Sequence, residues 1–141
     1  MKALTLWRPW PVAMFFLKPE YQKDVENRTW KPPDWIIGER IAIHAGNKRI
    51  DVFDQWLDII KPTPLEAFQL LSEWNRLSDI RGIIGTAIVD GWSKNSKSRW
   101  AEAGMIHWNM VDRRPLPKPI YCKGARLLWD LPFEIEKQIS V

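Results

Sequence analysis

Residues 83–89, Ile83-Ile84-Gly85-Thr86-Ala87-Ile88-Val89, carry a branched β-carbon at five of seven positions. Such side chains lose rotamer freedom in a helix and pack well on a pleated surface, so the run predicts a central strand. On its N-terminal side, Arg81-Gly82 closes a helical section. Within that section Ile50, Phe53, Leu57 and Ile60 recur at helical spacing. Thr63-Pro64-Leu65-Glu66 is a helix start, with Thr as N-cap, Pro at the first helical position and Glu completing a capping box. The helix it opens places Ala67, Leu70, Leu71, Trp74 and Leu77 on one stripe.

On the C-terminal side, Ser93 to Ser98 reads as a basic loop. Met105 to Val111 alternates, with Ile106, Trp108 and Met110 on one face and His107 and Asn109 on the other. Pro115-Leu116-Pro117-Lys118-Pro119 lacks the N–H donors a sheet interior needs, so it enters as an edge or a loop. Ile120 to Lys123 and Arg126 to Trp129 read as two short closing strands. In the first third, Ala3 to Leu6 is a strand, and Pro9 and Pro11 suit the first turn of a helix over Val12 to Leu17. Val25 to Trp30 is extended, and Lys31-Pro32-Pro33-Asp34 is a turn. Arg40 to Ala45 alternates as a half-buried strand, Ile41 and Ile43 on one face and Ala42 and His44 on the other.

Many short strands with few crossover helices argue against a parallel sheet. The expected class is α+β, mainly β: a small barrel with helices on its outside, formed by residues 1–141 as a single domain. No repeat, low-complexity segment or linker interrupts the chain. Cys122 is the sole cysteine, so no internal disulfide is possible and a reducing compartment fits. The N-terminus lacks the unbroken apolar core of a signal peptide, and no stretch of about 18 apolar residues suggests a membrane span. The chain is read as cytoplasmic and monomeric, with no membrane contact.

The formal net charge is +4. Between Gly91 and Arg126 eight cations (Lys94, Lys97, Arg99, Arg113, Arg114, Lys118, Lys123 and Arg126) face two carboxylates, Glu102 and Asp112. A local positive excess is the footprint of a polyanion binder, and equally that of a solvated face. Ten tryptophans are more than a core of this size requires, so some are candidates for stacking a flat ligand.

No motif for a cofactor or a metal is present. His44, His107 and Cys122 lack zinc-ligand spacing, and Gly82-x-x-Gly85 is too short for a dinucleotide fingerprint. There is neither a phosphate-binding loop nor a G-x-S-x-G elbow. The densest polar constellation is Lys23-Asp24-Val25-Glu26-Asn27-Arg28-Thr29-Trp30. In an extended segment Glu26, Arg28 and Trp30 share a face, and Lys23 joins them only if the chain bends. Arg and Lys there donate to phosphate or carbonyl oxygens, a carboxylate accepts from an exocyclic amine, and an indole stacks on a base. Lys23 and Glu26, once desolvated, are also candidates for acid–base catalysis. The competing reading is a surface ion-pair strand with Trp30 in the core. Trp7-Arg8-Pro9-Trp10 is a second constellation, with one Trp in the core and one at a cleft edge, and His44 is either a half-buried strand residue or a site residue.

Leu4-Thr5-Leu6-Trp7-Arg8-Pro9-Trp10, the Lys23–Trp30 segment and Gly38-Glu39-Arg40-Ile41-Ala42-Ile43-His44-Ala45 resemble the ASCH domain family of the PUA-like superfamily. Ile83 to Asp90 looks like its central G-x-A strand, and Lys123-Gly124-Ala125-Arg126-Leu127-Leu128-Trp129 like its closing strand. The resemblance spans nearly the whole chain. It implies a PUA-like β-barrel with a cleft for RNA or a nucleic-acid component, and its Pro-Trp, Lys and Glu-x-Arg pattern falls on Pro9, Trp10, Lys23, Glu26 and Arg28. Some ASCH-like proteins are amidohydrolases acting on an acetylated cytidine through Lys, Thr and Glu. Here Glu26 stands at the Thr position, Glu102 matches the distant Glu loosely, and Tyr21 replaces a glycine two residues before the Lys. Ribonuclease activity has also been proposed in the family.

The expected function is therefore binding of RNA or a modified nucleoside in a basic, tryptophan-lined cleft. Its residues are Trp7, Arg8, Pro9, Trp10, Arg28, Trp30, His44 and Lys123 around Lys23 and Glu26. The first alternative is a hydrolase using Lys23 and Glu26 on RNA or an acylated nucleoside. The second is a protein-interaction domain docking through exposed tryptophans.

Overall fold

The Ile83–Val89 run lies inside β4 (Gly82–Ser93), a central strand of a six-stranded mixed sheet in the computed structural model, which describes residues 1–139. In chain order the other strands are β1 (Lys2–Arg8), β2 (Val25–Arg28), β3 (Arg40–Arg49), β5 (Ile106–Ile120) and β6 (Leu128–Asp130). The spatial order is β2-β5-β4-β3-β1-β6. The helices are α1 (Trp10–Phe15), α2 (Phe53–Ile60), α3 (Pro64–Ser78) and α4 (Phe133–Ile139), with 3₁₀ turns at Pro19–Tyr21 and Asp34–Ile36. The class is thus α+β. No ladder joins the edge strands β2 and β6 among the described residues, so the sheet is open. No described helix is long and apolar enough to cross a membrane.

One pair in the sheet is parallel, β1 with β3, in register Ala3↔Ala42 through Leu6↔Ala45. The other four ladders are antiparallel, in keeping with the expectation against a parallel sheet; the one parallel pair arises because β2 leaves to pair with β5, after which the chain returns beside β1. β3 is also buried on both faces rather than one. Ile41, Ile43 and Ala45 enter the main core with Trp56 and Ile84. Ala42 packs in a second, smaller core with Ala3, Ile83 and Leu131, against which Trp129 and Ile135 also pack. The second layer is built by β6 and α4, and the latter is a helix that the sequence reading does not contain.

β5 continues, with irregularities in its pairing to β4, through Pro115, Pro117 and Pro119 to Ile120, so the separate strand expected over Ile120 to Lys123 is absent. The prolines are accommodated because β2 pairs only with Ile106–Asn109; beyond Asn109 that side of β5 is an edge needing no donor. The capping box at Thr63 forms as expected, the Thr63 hydroxyl accepting from Glu66 N–H and the Glu66 carboxylate accepting from Thr63 N–H. Of the α3 stripe, Trp74 and Leu77 are buried while Leu71 is exposed. α1 begins at Trp10, two residues earlier than expected, with Pro9 as N-cap after a cis Arg8–Pro9 peptide.

The sheet's curl positions the site. Thr5 of β1 and Arg28 of β2 lie far apart in strand order, yet an Arg28 Nη2–H donates to the Thr5 carbonyl at 3.1 Å. A cleft of about 580 Å³ opens between these strands, α1, α2 and the segment after β4.

Candidate functional site

Lys23 sits where the chain turns from the Pro19–Tyr21 segment into β2. Its backbone N–H donates to Ala13 of α1, which pins the turn. That bend carries the Lys23 side chain, 2% exposed, back over its own strand. The ammonium donates to the Val25 carbonyl and to Glu26 Oε1, the latter at 2.8 Å. Its remaining direction faces the Trp10 ring, 6.0 Å from the centroid.

Glu26 is buried with cations on both sides. Oε1 takes Lys23, and Oε2 lies 3.0 Å from Arg28 Nε. The Arg28 contact is an ion pair whose angle makes no hydrogen bond, so the buried Nε–H has no acceptor. Charges this desolvated are tolerated when paired, as here.

Aromatic rings form the walls. The Trp10 ring lies 5.9 Å from Trp56 and 6.2 Å from Trp100, the second at a near-perpendicular 85°. Trp30 stands edge-on to Trp108 at 4.7 Å, and Trp108 Nε1–H donates to the Trp30 carbonyl. Asn27 clamps the far wall: its Nδ2–H donates to the Trp100 carbonyl and its Oδ1 accepts from Glu102 N–H. Trp7 stands at the mouth, 52% exposed, with Lys48 Nζ 3.7 Å from its ring centroid.

The structure therefore brings together Trp7, Trp10, Lys23, Glu26, Arg28 and Trp30 around one cavity. It leaves four expected residues outside. Arg8, 4% exposed, donates to the carbonyls of Ser78 and Asn47 and lies 3.6 Å from Asp79, tying β1 to the end of α3. Its pKa is lowered by burial and by neighbouring Arg81 and Arg49, and raised in part by Asp79. Pro9 caps α1 and is buried. Lys123 is exposed in the segment between β5 and β6.

His44 faces the second core. Its Nε2–H donates to the Cys122 carbonyl at 2.8 Å, which leaves Nδ1 to accept from the Thr5 hydroxyl at 3.1 Å. Thr5 in turn accepts from Trp129 Nε1–H at 3.0 Å. Burial lowers the His44 pKa, opposed only in part by the Cys122 carbonyl. His107 is likewise satisfied, accepting from Ser96 N–H and donating to the Glu102 carbonyl.

The expectation of a basic cleft also changes. Its charged lining is Lys23, Arg28 and Arg99 against Glu26, Asp58 and Glu102, a balance of three and three. Of the eight cations counted between Gly91 and Arg126, the cleft lining includes Arg99 alone. Arg113 is held by the Met14 and Met110 carbonyls, and Arg114 by Asp112. Sequence reading missed Trp100 and Asp58, and it left Asn27, quoted within the Lys23–Trp30 constellation, out of the expected site residues. Trp100 had a signal, as an indole directly after a polar loop, whereas Asp58 reaches the cleft from α2 with no local pattern to mark it.

The cleft thus offers flat walls, three carboxylates balanced by three cations, and no net charge. Compared with known protein families and with curated proteins, the chain matches no family model and no curated protein.

Proposed function

We propose that this chain binds a nucleobase, as a modified nucleoside or as part of RNA, in the cleft between β1 and β2. The observation that carries the reading is the buried Lys23–Glu26 pair with the half-buried Arg28, beside the Trp10 ring and open to a cavity of about 580 Å³. A base stacks on an indole, its amino group donates to Glu26, and its carbonyl or ring nitrogen accepts from Arg28. Charge balance in the lining favours a ligand that enters the cleft uncharged, as a base does, with the phosphate outside.

On this reading the fold is an opened PUA-like barrel and the chain an ASCH-type domain. The Arg28 bridge to Thr5 supports it, since it ties the edge strand β2 back to β1, next to the opposite edge of the sheet. The hydrolytic alternative uses the same pair, Lys23 and Glu26. The engagement of Lys23 by two acceptors favours a positioning and electrostatic role over proton transfer.

Calorimetric titration with cytidine, uridine, adenosine and guanosine tests the proposal. At least one nucleoside should bind with a stoichiometry of one, and Arg28→Ala should weaken it. Absence of binding for all four at millimolar concentration contradicts the reading. Turnover of an acylated cytidine or of RNA that Lys23→Ala and Glu26→Ala both abolish would instead support catalysis.

A further inference from the structure

Three exposed tryptophans carry a lysine over the ring: Trp35 with Lys2, Trp7 with Lys48 and Trp92 with Lys31. They differ in what else the lysine does and in where the pair stands. Lys2 is committed to Asp130 at 2.8 Å. Lys31 has no carboxylate partner among the described residues, and its Nζ lies 4.5 Å from the Trp92 centroid.

The Trp92 pair is contiguous with the cleft. Lys31 directly follows Trp30, a cleft wall. Trp30 rests on Trp108, and Trp108 is the cross-strand partner of Trp92. Trp92 also opens the segment 92–99, which contains Lys94, Lys97 and Arg99 and no carboxylate. Lys94 and Lys97 are exposed and without an ion-pair partner among the described residues, while Arg99 lines the cleft.

This cationic segment is held in place. Ser96 N–H donates to His107 Nδ1, the Ser98 hydroxyl donates to Asp24, and the Ser98 Oγ accepts from Trp100 N–H. A fixed loop loses little freedom when it meets a ligand. Asp24 is the carboxylate at this rim, and the Ser98 hydroxyl occupies one of its oxygens.

We infer that Trp92, Lys31 and the 94–99 loop form a second subsite, outside the cleft, for the adjoining nucleotides of a single-stranded RNA. Trp92 stacks a base, and Lys31, Lys94 and Lys97 meet phosphates. The inference rests on the nucleobase reading of the cleft and extends it. The cleft holds one base without net charge, and the rim supplies the positive charge that the cleft lacks. The ligand class is then an oligonucleotide in preference to a free nucleoside.

The test compares the best-bound nucleoside with hexauridylate and hexacytidylate on the full chain, using wild type, Trp92→Ala and Lys31→Ala/Lys94→Ala. Circular dichroism checks that each variant is folded. The hexamer should bind at least about tenfold more tightly than the nucleoside, and Trp92→Ala should remove about tenfold of hexamer affinity. Lys31→Ala/Lys94→Ala should lower the slope of log K against log salt by about 1.4, near 0.7 per phosphate contact on a single strand. Nucleoside affinity should be unchanged in both variants. A hexamer that binds no better than the nucleoside, or whose affinity survives both variants, overturns the subsite and leaves the cleft reading standing. Hexamer binding that the variants weaken, with no nucleoside bound at all, sustains the rim and overturns the cleft. Binding of neither overturns both.

Discussion

Lys23 Nζ and Glu26 Oε1 meet at 2.8 Å inside the protein, three residues apart in sequence. The contact exists because the chain bends between them, with Lys23 N–H anchored on Ala13 and Glu26 already paired in β2 opposite Trp108. The buried lysine cancels the charge of a buried carboxylate, and Arg28, paired with the same carboxylate through Nε, reaches across the cleft to Thr5 through Nη2.

Removing one partner strands the other. Lys23→Met should destabilise the protein by about 3 kcal/mol, the low end for breaking a buried pair because Arg28 still faces Glu26. Lys23→Met/Glu26→Leu should cost less than the two single changes added together. Urea unfolding of the four proteins measures both; additive costs would mean that the pair is not coupled.

Arg28→Lys keeps the charge and loses the planar fork that serves Glu26 and Thr5 together. Nucleoside affinity should fall about tenfold or more, while stability falls by about 1.5–3 kcal/mol, the range for a hydrogen bond from a charged group. Titration and urea unfolding of the same preparation separate the two effects. Equal affinity in the lysine variant contradicts a guanidinium-specific contact.

His44 links stability to pH. Burial holds its folded pKa below the ordinary 6.5, so the unfolded chain binds the proton more readily. Stability from this residue is complete above pH 6.5 and is lost as pH falls through the folded value, at no more than about 1.4 kcal/mol per pH unit for one proton. Unfolding free energies measured from pH 7 to pH 5 should decline in the wild type and decline less in His44→Gln. Identical slopes would contradict a neutral, buried His44.

Gly85 is where β4 lets α1 approach. A β-carbon there would stand 2.5 Å from the Phe15 ring and 2.8 Å from the Arg114 carbonyl. Gly85→Ala should therefore destabilise by about 1–3 kcal/mol, the usual cost of overpacking. Thermal unfolding reads this directly, and an unchanged midpoint would mean that α1 sits further from the sheet.

What the sequence made legible was local. The β-branched run of β4, the Thr63 capping box and the alternation over Ile106–Met110 each depend on neighbours a few residues away. The Lys23–Glu26–Arg28 cluster was legible for the same reason. What escaped depends on distant partners. His44 reads as a candidate site residue until Thr5 and Cys122, 39 and 78 positions away, are seen to fill both ring nitrogens. Arg8 turns inward only because the end of α3, 70 positions on, offers it the Ser78 carbonyl. The cleft is electrically balanced because Asp58 of α2 and Glu102 join it from separate elements. Prolines in β5 read as a break, but their tolerance depends on β2 stopping at Asn109.

Crystals soaked with each of the four common nucleosides test the central claim most directly. The account predicts ring-shaped density against the Trp10 or Trp30 indole, with an acceptor atom within hydrogen-bond distance of the Arg28 guanidinium and a donor facing Glu26. An empty cleft at saturating concentration, or a nucleoside bound only elsewhere on the protein, would contradict it.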